Sequence, residues 1–148
     1  MALAFTRHRT RQLMPSLLAL YALASLLHFT HNAEYLPQYP NLPVSWTRAD
    51  VYLAWCGATS VGLLGYLLYR TGYWRFGLTV LAIYGTLGFA GLLHYTRAPI
   101  AQHSAVMNFT IWAEVAAAAL FLLNVASMAT HCARLTAALQ RDERCTGP

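Results

Sequence analysis

The chain contains no lysine and few charged residues of any kind. Charged side chains make up 10% of its 148 residues, and hydrophobic residues make up 57%. A soluble domain usually has about 25% charged residues. So little charge argues against an ordinary soluble domain and indicates a membrane protein.

Cysteine is also scarce, and its spacing follows no known pattern. The three cysteines are Cys56, Cys132 and Cys145, and no two of them have the spacing of a Cys-x-x-Cys motif. The sequence therefore predicts neither a disulfide framework nor a cysteine-based zinc site.

Four long apolar runs dominate what is present. They predict helices at about 13–32, 50–69, 76–97 and 106–130. Each is close to the ~20 residues that cross a hydrocarbon core of ~30 Å. We therefore predict an all-α membrane protein, a four-transmembrane-helix bundle that forms a single integral membrane domain over 1–148. Residues 131–148 are expected to form a cytoplasmic tail.

The arginines predict the orientation of the bundle. The chain has no lysine, so arginine alone supplies the positive charge that gives the net charge of +5. Eight arginines lie before the first run, between the second and third, or after the fourth, and two lie in the other loops. The positive-inside rule then places both termini in the cytoplasm. The eight are Arg7, Arg9, Arg11, Arg70, Arg75, Arg134, Arg141 and Arg144, and the two are Arg48 and Arg97.

The same distribution bears on partners and location. A basic chain raises the question of nucleic-acid binding. Here the arginines flank apolar runs, so we expect no nucleic acid and a lipid bilayer as the main partner. A membrane-protein partner or a second copy of the chain is a further expectation. The arginine-only, alanine- and leucine-rich composition suggests the inner (plasma) membrane of a bacterium.

The first apolar run shares some features with a secretory signal peptide. Basic residues precede it, and the Ala-Leu-Ala sequence at 22–24 resembles a cleavage site. Cleavage there would cut the helix just before the Leu-Leu-His sequence at 26–28. The third run ends with the same sequence in an intact helix, so we expect the first helix to be retained, with cleavage as the alternative.

A short pattern occurs twice in the chain. Residues 26–30 read Leu-Leu-His-Phe-Thr, and residues 92–96 read Leu-Leu-His-Tyr-Thr. A weaker match relates residues 52–55 to residues 109–112. Two helix pairs that start on the same side predict a duplicated two-helix hairpin, with a pseudo-twofold axis along the membrane normal.

The repeat places His28 and His94 at similar depths near the outer ends of their helices. Glu114 is the lone carboxylate of the fourth run, about eight residues or ~12 Å from its start. Ionisable groups at membrane depth are costly, and they are therefore candidates for functional sites. Imidazoles and a carboxylate suit zinc, iron or copper, so we predict His28, His94 and Glu114 as metal ligands, with His31 or His103 as a fourth.

Other uses of these groups remain open. Glu114 and His28 are candidate catalytic residues for acid–base chemistry on a lipid-like substrate. A haem held by His28 and His94 is a less favoured cofactor. The histidines are also able simply to hydrogen-bond across the bundle. In the metal interpretation, Asn32, Glu34 and Asn108 would orient the ligands.

The loop after the first helix is predicted to be extended. Prolines at 37, 40 and 43 favour a polyproline-type path, and Tyr35, Tyr39 and Trp46 suit a membrane–water interface. Thr47 is a candidate N-cap for the second helix.

Two functions are compatible with these features. The first is a small inner-membrane protein with a polar His/Glu site in the outer half of the bundle, which binds a metal or cofactor or performs acid–base chemistry. The alternative is a non-catalytic accessory subunit or assembly factor of a membrane complex. A transporter or proton relay ranks third, because it needs polar residues in the inner half, where Asn124 is almost alone.

Overall fold

The computed structural model describes the backbone of residues 2–145 and the side chains of residues 13–141. The side chains of the arginines predicted to flank the termini at 7, 9, 11 and 144 lie outside this range, as do residues 146–148 of the predicted tail. The described helices are α1 (Ala2–Glu34), α2 (Arg48–Arg70), α3 (Trp74–Leu87), α4 (His94–Arg97) and α5 (Ala105–Cys145). Short 3₁₀ turns lie at Leu36–Gln38, Ala90–Leu93 and Ile100–Gln102.

Within the described residues, four helical segments are long and apolar enough to cross a membrane. They are Leu13–Glu34, Arg48–Arg70, Trp74–Arg97 and Ala105–Arg141. The predicted all-helical architecture is therefore confirmed for the described residues, and the four predicted helices have the length and composition that a membrane span requires. Helix α1 packs against α2 and α5, and α3 packs against the same two helices, so the four segments form a square bundle. We call the end with loops 35–47 and 98–104 the long-loop end, and the end with residues 71–73 the short-loop end.

The first and last helices are longer than predicted. Pro15 lies inside α1, whereas the predicted start at about residue 13 would place it in the first turn of the helix. Helix α5 continues without a break to Cys145, so the segment from 131 that was predicted as a tail is helical as far as the structure describes it. The chain has neither glycine nor proline between residues 105 and 145, so no residue there breaks the helix.

The third span is broken, although the sequence predicted one helix over 76–97. Helix α3 ends at Leu87, and Gly88 N–H donates to Gly85 O at 3.3 Å in a three-residue step. Glycine at 88 is required by packing, since an added Cβ would lie 2.5 Å from Ala118 Cβ. A 3₁₀ turn rotates ~120° per residue against ~100° in an α-helix, so the break turns the residues beyond it toward a different face.

The loop at 35–47 folds back over the bundle and is not a simple extended strand. It opens with the 3₁₀ turn Leu36–Gln38, and Asn41 adopts a left-handed conformation with φ of 57°. Tyr39, predicted at the interface, is buried with 3% exposure. The predicted cap is confirmed: Thr47 N–H donates to Asp50 Oδ2, and Asp50 N–H donates to Thr47 Oγ1.

The buried residues are segregated along the bundle. An apolar core occupies the half toward the short-loop end, where Tyr21, Tyr84 and Phe121 are its largest fully buried rings. Most of the buried polar side chains among the described residues lie toward the long-loop end, and they are Ser25, His28, His103, Thr110 and Glu114; the exception is Asn124, which lies in the other half. Helix packing thus positions one polar cluster in one half of the molecule.

Candidate functional site

His28 and Glu114 face each other across the contact between α1 and α5. The His28 Nε2 and Glu114 Oε2 atoms are 3.8 Å apart, and the two side chains are 2% and 3% exposed. The His94 ring lies beside them, with its centroid 5.6 Å from that of His28. The structure therefore brings together the three residues that the sequence singled out.

Thr110 determines which nitrogen of His28 carries the proton. The Thr110 hydroxyl donates to Met107 O at 3.0 Å, which leaves its oxygen as an acceptor. His28 Nδ1 lies 3.4 Å from that oxygen, so Nδ1 is the protonated nitrogen. The Nε2 lone pair is then directed toward Glu114 and Asn32.

Asn32 joins the two histidines. Its Nδ2 lies 3.2 Å from Nε2 of His28 and 3.2 Å from Nε2 of His94, so one amide group donates to both rings. Its Oδ1 is buried and has no partner among the described residues. The predicted haem between the two histidines does not fit this arrangement, because the amide occupies the space between the two nitrogens.

A cavity of about 220 Å³ opens beside these groups. Gly91 leaves room for it, since an added Cβ would lie 3.5 Å from His28 Nε2 and 3.6 Å from Glu114 Oε2. Apart from His28, Asn32, His94, Arg97 and Glu114 the walls are apolar, and they are formed by Phe29, Leu36, Leu42, Pro43, Trp46, Val51, Leu87, Ala90, Gly91 and Leu93. The cavity is thus an apolar chamber with its polar groups gathered on one side.

The loop at 35–47 forms the roof of this chamber. Asn41 Nδ2 donates to Arg97 O at 2.8 Å, and the Arg97 guanidinium donates back to Asn41 O at 3.3 Å. The Tyr39 ring lies on His94, with ring centroids 4.9 Å apart. Burial raises the pKa of Tyr39 to about 12, so its hydroxyl keeps its proton, and it forms a hydrogen bond with His31 Nδ1 at 2.8 Å.

Several residues predicted for the site lie elsewhere. His31 contacts Tyr39 and does not line the chamber. Glu34 forms an ion pair with Arg48 at 2.6 Å on the surface. The Asn108 side chain accepts a hydrogen bond from Tyr95 and donates to the backbone of the 98–104 loop.

No family model, curated protein or solved structure matches this chain. The chemistry of the site therefore has to be argued from its own geometry.

The geometry gives the predicted metal centre no support. Among the described residues, no group of three or more histidine, cysteine, aspartate or glutamate side chains is arranged to hold a metal ion. His28 and His94 both direct Nε2 at the Asn32 amide, and His31 is engaged by Tyr39. An amide N–H competes with a metal for the same lone pair, so these nitrogens act as hydrogen-bond acceptors.

Sequence reasoning missed four residues of the site. Thr110 lies one helical turn before Glu114, and Gly91 lies three residues before His94, so helical spacing was an available signal for both. Ser25 interacts with the Glu114 carboxyl group from the next turn of α1. Tyr39 offered no such signal, because its position depends on how the loop folds back.

Proposed function

We propose that this is an integral membrane protein whose chamber binds a small lipid-like molecule, and that His28 and Glu114 act on it as a general acid–base pair. The observation that carries the proposal is the approach of a buried imidazole and a buried carboxyl group to 3.8 Å at one side of an apolar cavity. Ionisable side chains in such surroundings are costly, and they are retained where they do chemistry. In this proposal the termini are cytoplasmic and the chamber lies in the outer half of a bacterial inner membrane.

The lining of the chamber favours an amphipathic ligand. Phe29, Val51 and Leu87 are among the side chains that offer apolar walls to its body. The polar side presents an acceptor, since the buried Asn32 Oδ1 has no partner among the described residues. An unpaired buried acceptor costs about 1–3 kcal/mol, which a ligand hydroxyl or amine would recover.

The pair has the groups needed to move a proton within such a ligand. In the proposed step, the bound ligand displaces the Asn32 amide from His28 Nε2. The protonated Glu114 carboxyl group then donates to one atom of the ligand, while His28 Nε2 accepts a proton from another. The product is an isomer of the ligand. The proton gained by His28 then returns to Glu114 across the 3.8 Å that separates them, which restores the starting state.

Deuterium labelling tests this proposal even though the substrate is unidentified. Purified protein in nanodiscs is incubated in D₂O with a bacterial lipid extract, and mass spectrometry follows compounds that gain non-exchangeable deuterium. We expect wild-type protein to label one compound, and Glu114→Gln and His28→Asn to lower the labelling rate by about 10²- to 10⁴-fold. Glu34→Gln, which removes a surface carboxylate, should label at the wild-type rate.

A second pair of variants tests whether the reaction requires the cavity. Gly91→Leu fills the space beside the pair and should abolish labelling, whereas Gly57→Leu meets no atom within 4 Å of its Cβ and should not change it. If no compound is labelled, or if Glu114→Gln labels as fast as wild type, the acid–base proposal fails. A non-catalytic accessory subunit would then be the better account, because that function does not require the histidines.

A further inference from the structure

A second concave surface lies between α3 and α5, toward the short-loop end. It is a groove of about 480 Å³ lined by Trp74, Arg75, Leu78, Thr79, Ala82, Leu122, Val125, Ala126 and Ala129. It shares no lining residue with the His28–Glu114 chamber, so it is independent of the function proposed above.

The groove itself is apolar. Leu78 and Val125 are buried at its base, and small side chains such as Ala82 and Ala126 give it depth. Thr79 does not offer a free hydroxyl, because its Oγ1 donates to Arg75 O at 2.9 Å. From Arg75 to Ala82 the helix rises ~10 Å, about two thirds of one leaflet of a ~30 Å hydrocarbon core.

One end of the groove carries a positive charge. Arg75 is exposed, and its guanidinium carbon lies 5.3 Å from the centroid of the Trp74 ring. No residue that lines the groove is acidic, and no ion pair of Arg75 is present among the described residues. An arginine beside a tryptophan is typical of the headgroup level of a membrane, and the guanidinium fork matches phosphate geometry.

We propose that this groove binds an anionic phospholipid, with the phosphate on Arg75 and one acyl chain along α3 and α5. Charge complementarity favours an anionic lipid, because Arg75 lies at the end of the apolar groove and has no carboxylate partner among the described residues. The proposal rests on insertion of the bundle in a membrane and not on any reaction in the chamber.

Native mass spectrometry of the full chain tests the proposal, with phosphatidylglycerol and phosphatidylcholine of identical acyl chains as probes. We expect wild-type protein to retain phosphatidylglycerol more strongly than phosphatidylcholine. Arg75→Gln should weaken phosphatidylglycerol binding about fivefold, which corresponds to the ~1 kcal/mol of one arginine at an anionic surface.

Arg70→Gln is the matched control. Arg70 lies in the same region and also stands over an aromatic ring, 5.9 Å from the Tyr66 centroid, but it does not line the groove. Its substitution should leave phosphatidylglycerol binding within about twofold of wild type. An equal loss in Arg70→Gln and Arg75→Gln would mean that net charge alone attracts the lipid, which would overturn the proposal.

A further pair of variants tests the apolar part of the groove. Ala126→Leu fills the groove and should lower binding of both lipids. Ser127→Leu changes the adjacent exposed position and should not lower it. Thermal unfolding in the same detergent verifies that each variant is folded. Unchanged phosphatidylglycerol binding in both Arg75→Gln and Ala126→Leu would also overturn the proposal.

Discussion

At the scale of single residues, Asn32 connects the two histidines of the chamber. Its amide nitrogen donates to two imidazoles that come from different helices, α1 and α4. Buried lone pairs without a donor are expensive, so the contact between the histidines depends on this one side chain. The sequence predicted that the histidines share a depth and that Asn32 helps to orient them, but it did not predict that one amide group donates to both rings.

Replacement of Asn32 by leucine should therefore destabilise the protein. Asn32→Leu leaves two imidazole nitrogens without their donor, and we expect the free energy of unfolding to fall by about 1–3 kcal/mol. Thermal or denaturant unfolding in detergent, followed by circular dichroism, measures the change.

Asn124→Leu is the control, because Asn124 is only 9% exposed and its Oδ1 has no partner among the described residues. Removal of a buried amide that is poorly satisfied should be neutral or stabilising. A similar loss of stability in both variants would show that the two hydrogen bonds of Asn32 stabilise the protein no more than any buried amide does.

At the scale of elements, the decisive feature is the break between α3 and α4. Gly88 allows α1, α3 and α5 to approach closely, since its added Cβ would lie 2.5 Å from Ala118 Cβ and 2.7 Å from Tyr21 Cε2. The 3₁₀ turn that follows places His94 at the start of α4 and against the chamber. The two copies of the repeat are consequently not alike in backbone, because His28 lies within a continuous helix.

Gly88→Ala and Gly57→Ala should have opposite effects on stability. The first forces atoms apart in a packed interface and should lower the free energy of unfolding by about 1–3 kcal/mol. The second adds a methyl group where nothing lies within 4 Å, in the middle of α2, and should raise the free energy of unfolding by up to about 1 kcal/mol through helix propensity.

The two glycine variants are compared in one unfolding experiment in the same detergent. Destabilisation by Gly57→Ala, or stabilisation by Gly88→Ala, would contradict the packing that we describe. The comparison matters for the site, because the close approach at Gly88 sets the path of the chain toward His94.

Some elements could be predicted from local sequence and others could not. The Thr47–Asp50 capping box depends on residues three apart, so the chain itself indicates it. The end of α1 at Glu34 was also predictable, because Pro37 follows soon after. The fold of loop 35–47 depends on contacts with residues far away in sequence, such as that of Asn41 with Arg97.

At the scale of the whole molecule, the distribution of arginine predicts the direction of the bundle. Arg70 and Arg75 flank the short-loop end, which the positive-inside rule assigns to the cytoplasm. The long-loop end, with the chamber and its roof, would then face outward. The distribution of arginine in the loops therefore also predicts on which side of the membrane the chamber lies.

Cysteine labelling tests this orientation in intact cells. In a variant without its natural cysteines, Val44→Cys and Tyr73→Cys introduce thiols at opposite ends, at positions that are fully and 63% exposed. We expect a membrane-impermeant maleimide to label Val44→Cys in intact cells and Tyr73→Cys only after permeabilisation. Labelling in the reverse order would mean that the bundle is inverted.

The sequence by itself determined that the chain is helical, that it has four long apolar runs and that the ionisable residues His28, His94 and Glu114 within those runs lie toward one end. These properties depend on composition and on the order of residues along the chain, and distant contacts do not enter into them. They also explain why His28, His94 and Glu114 stand out from the sequence alone.

Only the tertiary structure decided how these groups are used. The Asn32 bridge, the role of Thr110 in the His28 tautomer and the roof around Tyr39 all depend on which helix faces meet. A glycine break changed the face on which His94 lies, and periodicity cannot anticipate such a rotation. The contacts turned an expected cluster of metal ligands into a hydrogen-bonded chamber, because the two Nε2 atoms accept protons from the Asn32 amide and, among the described residues, no three ligand side chains are arranged around one metal position.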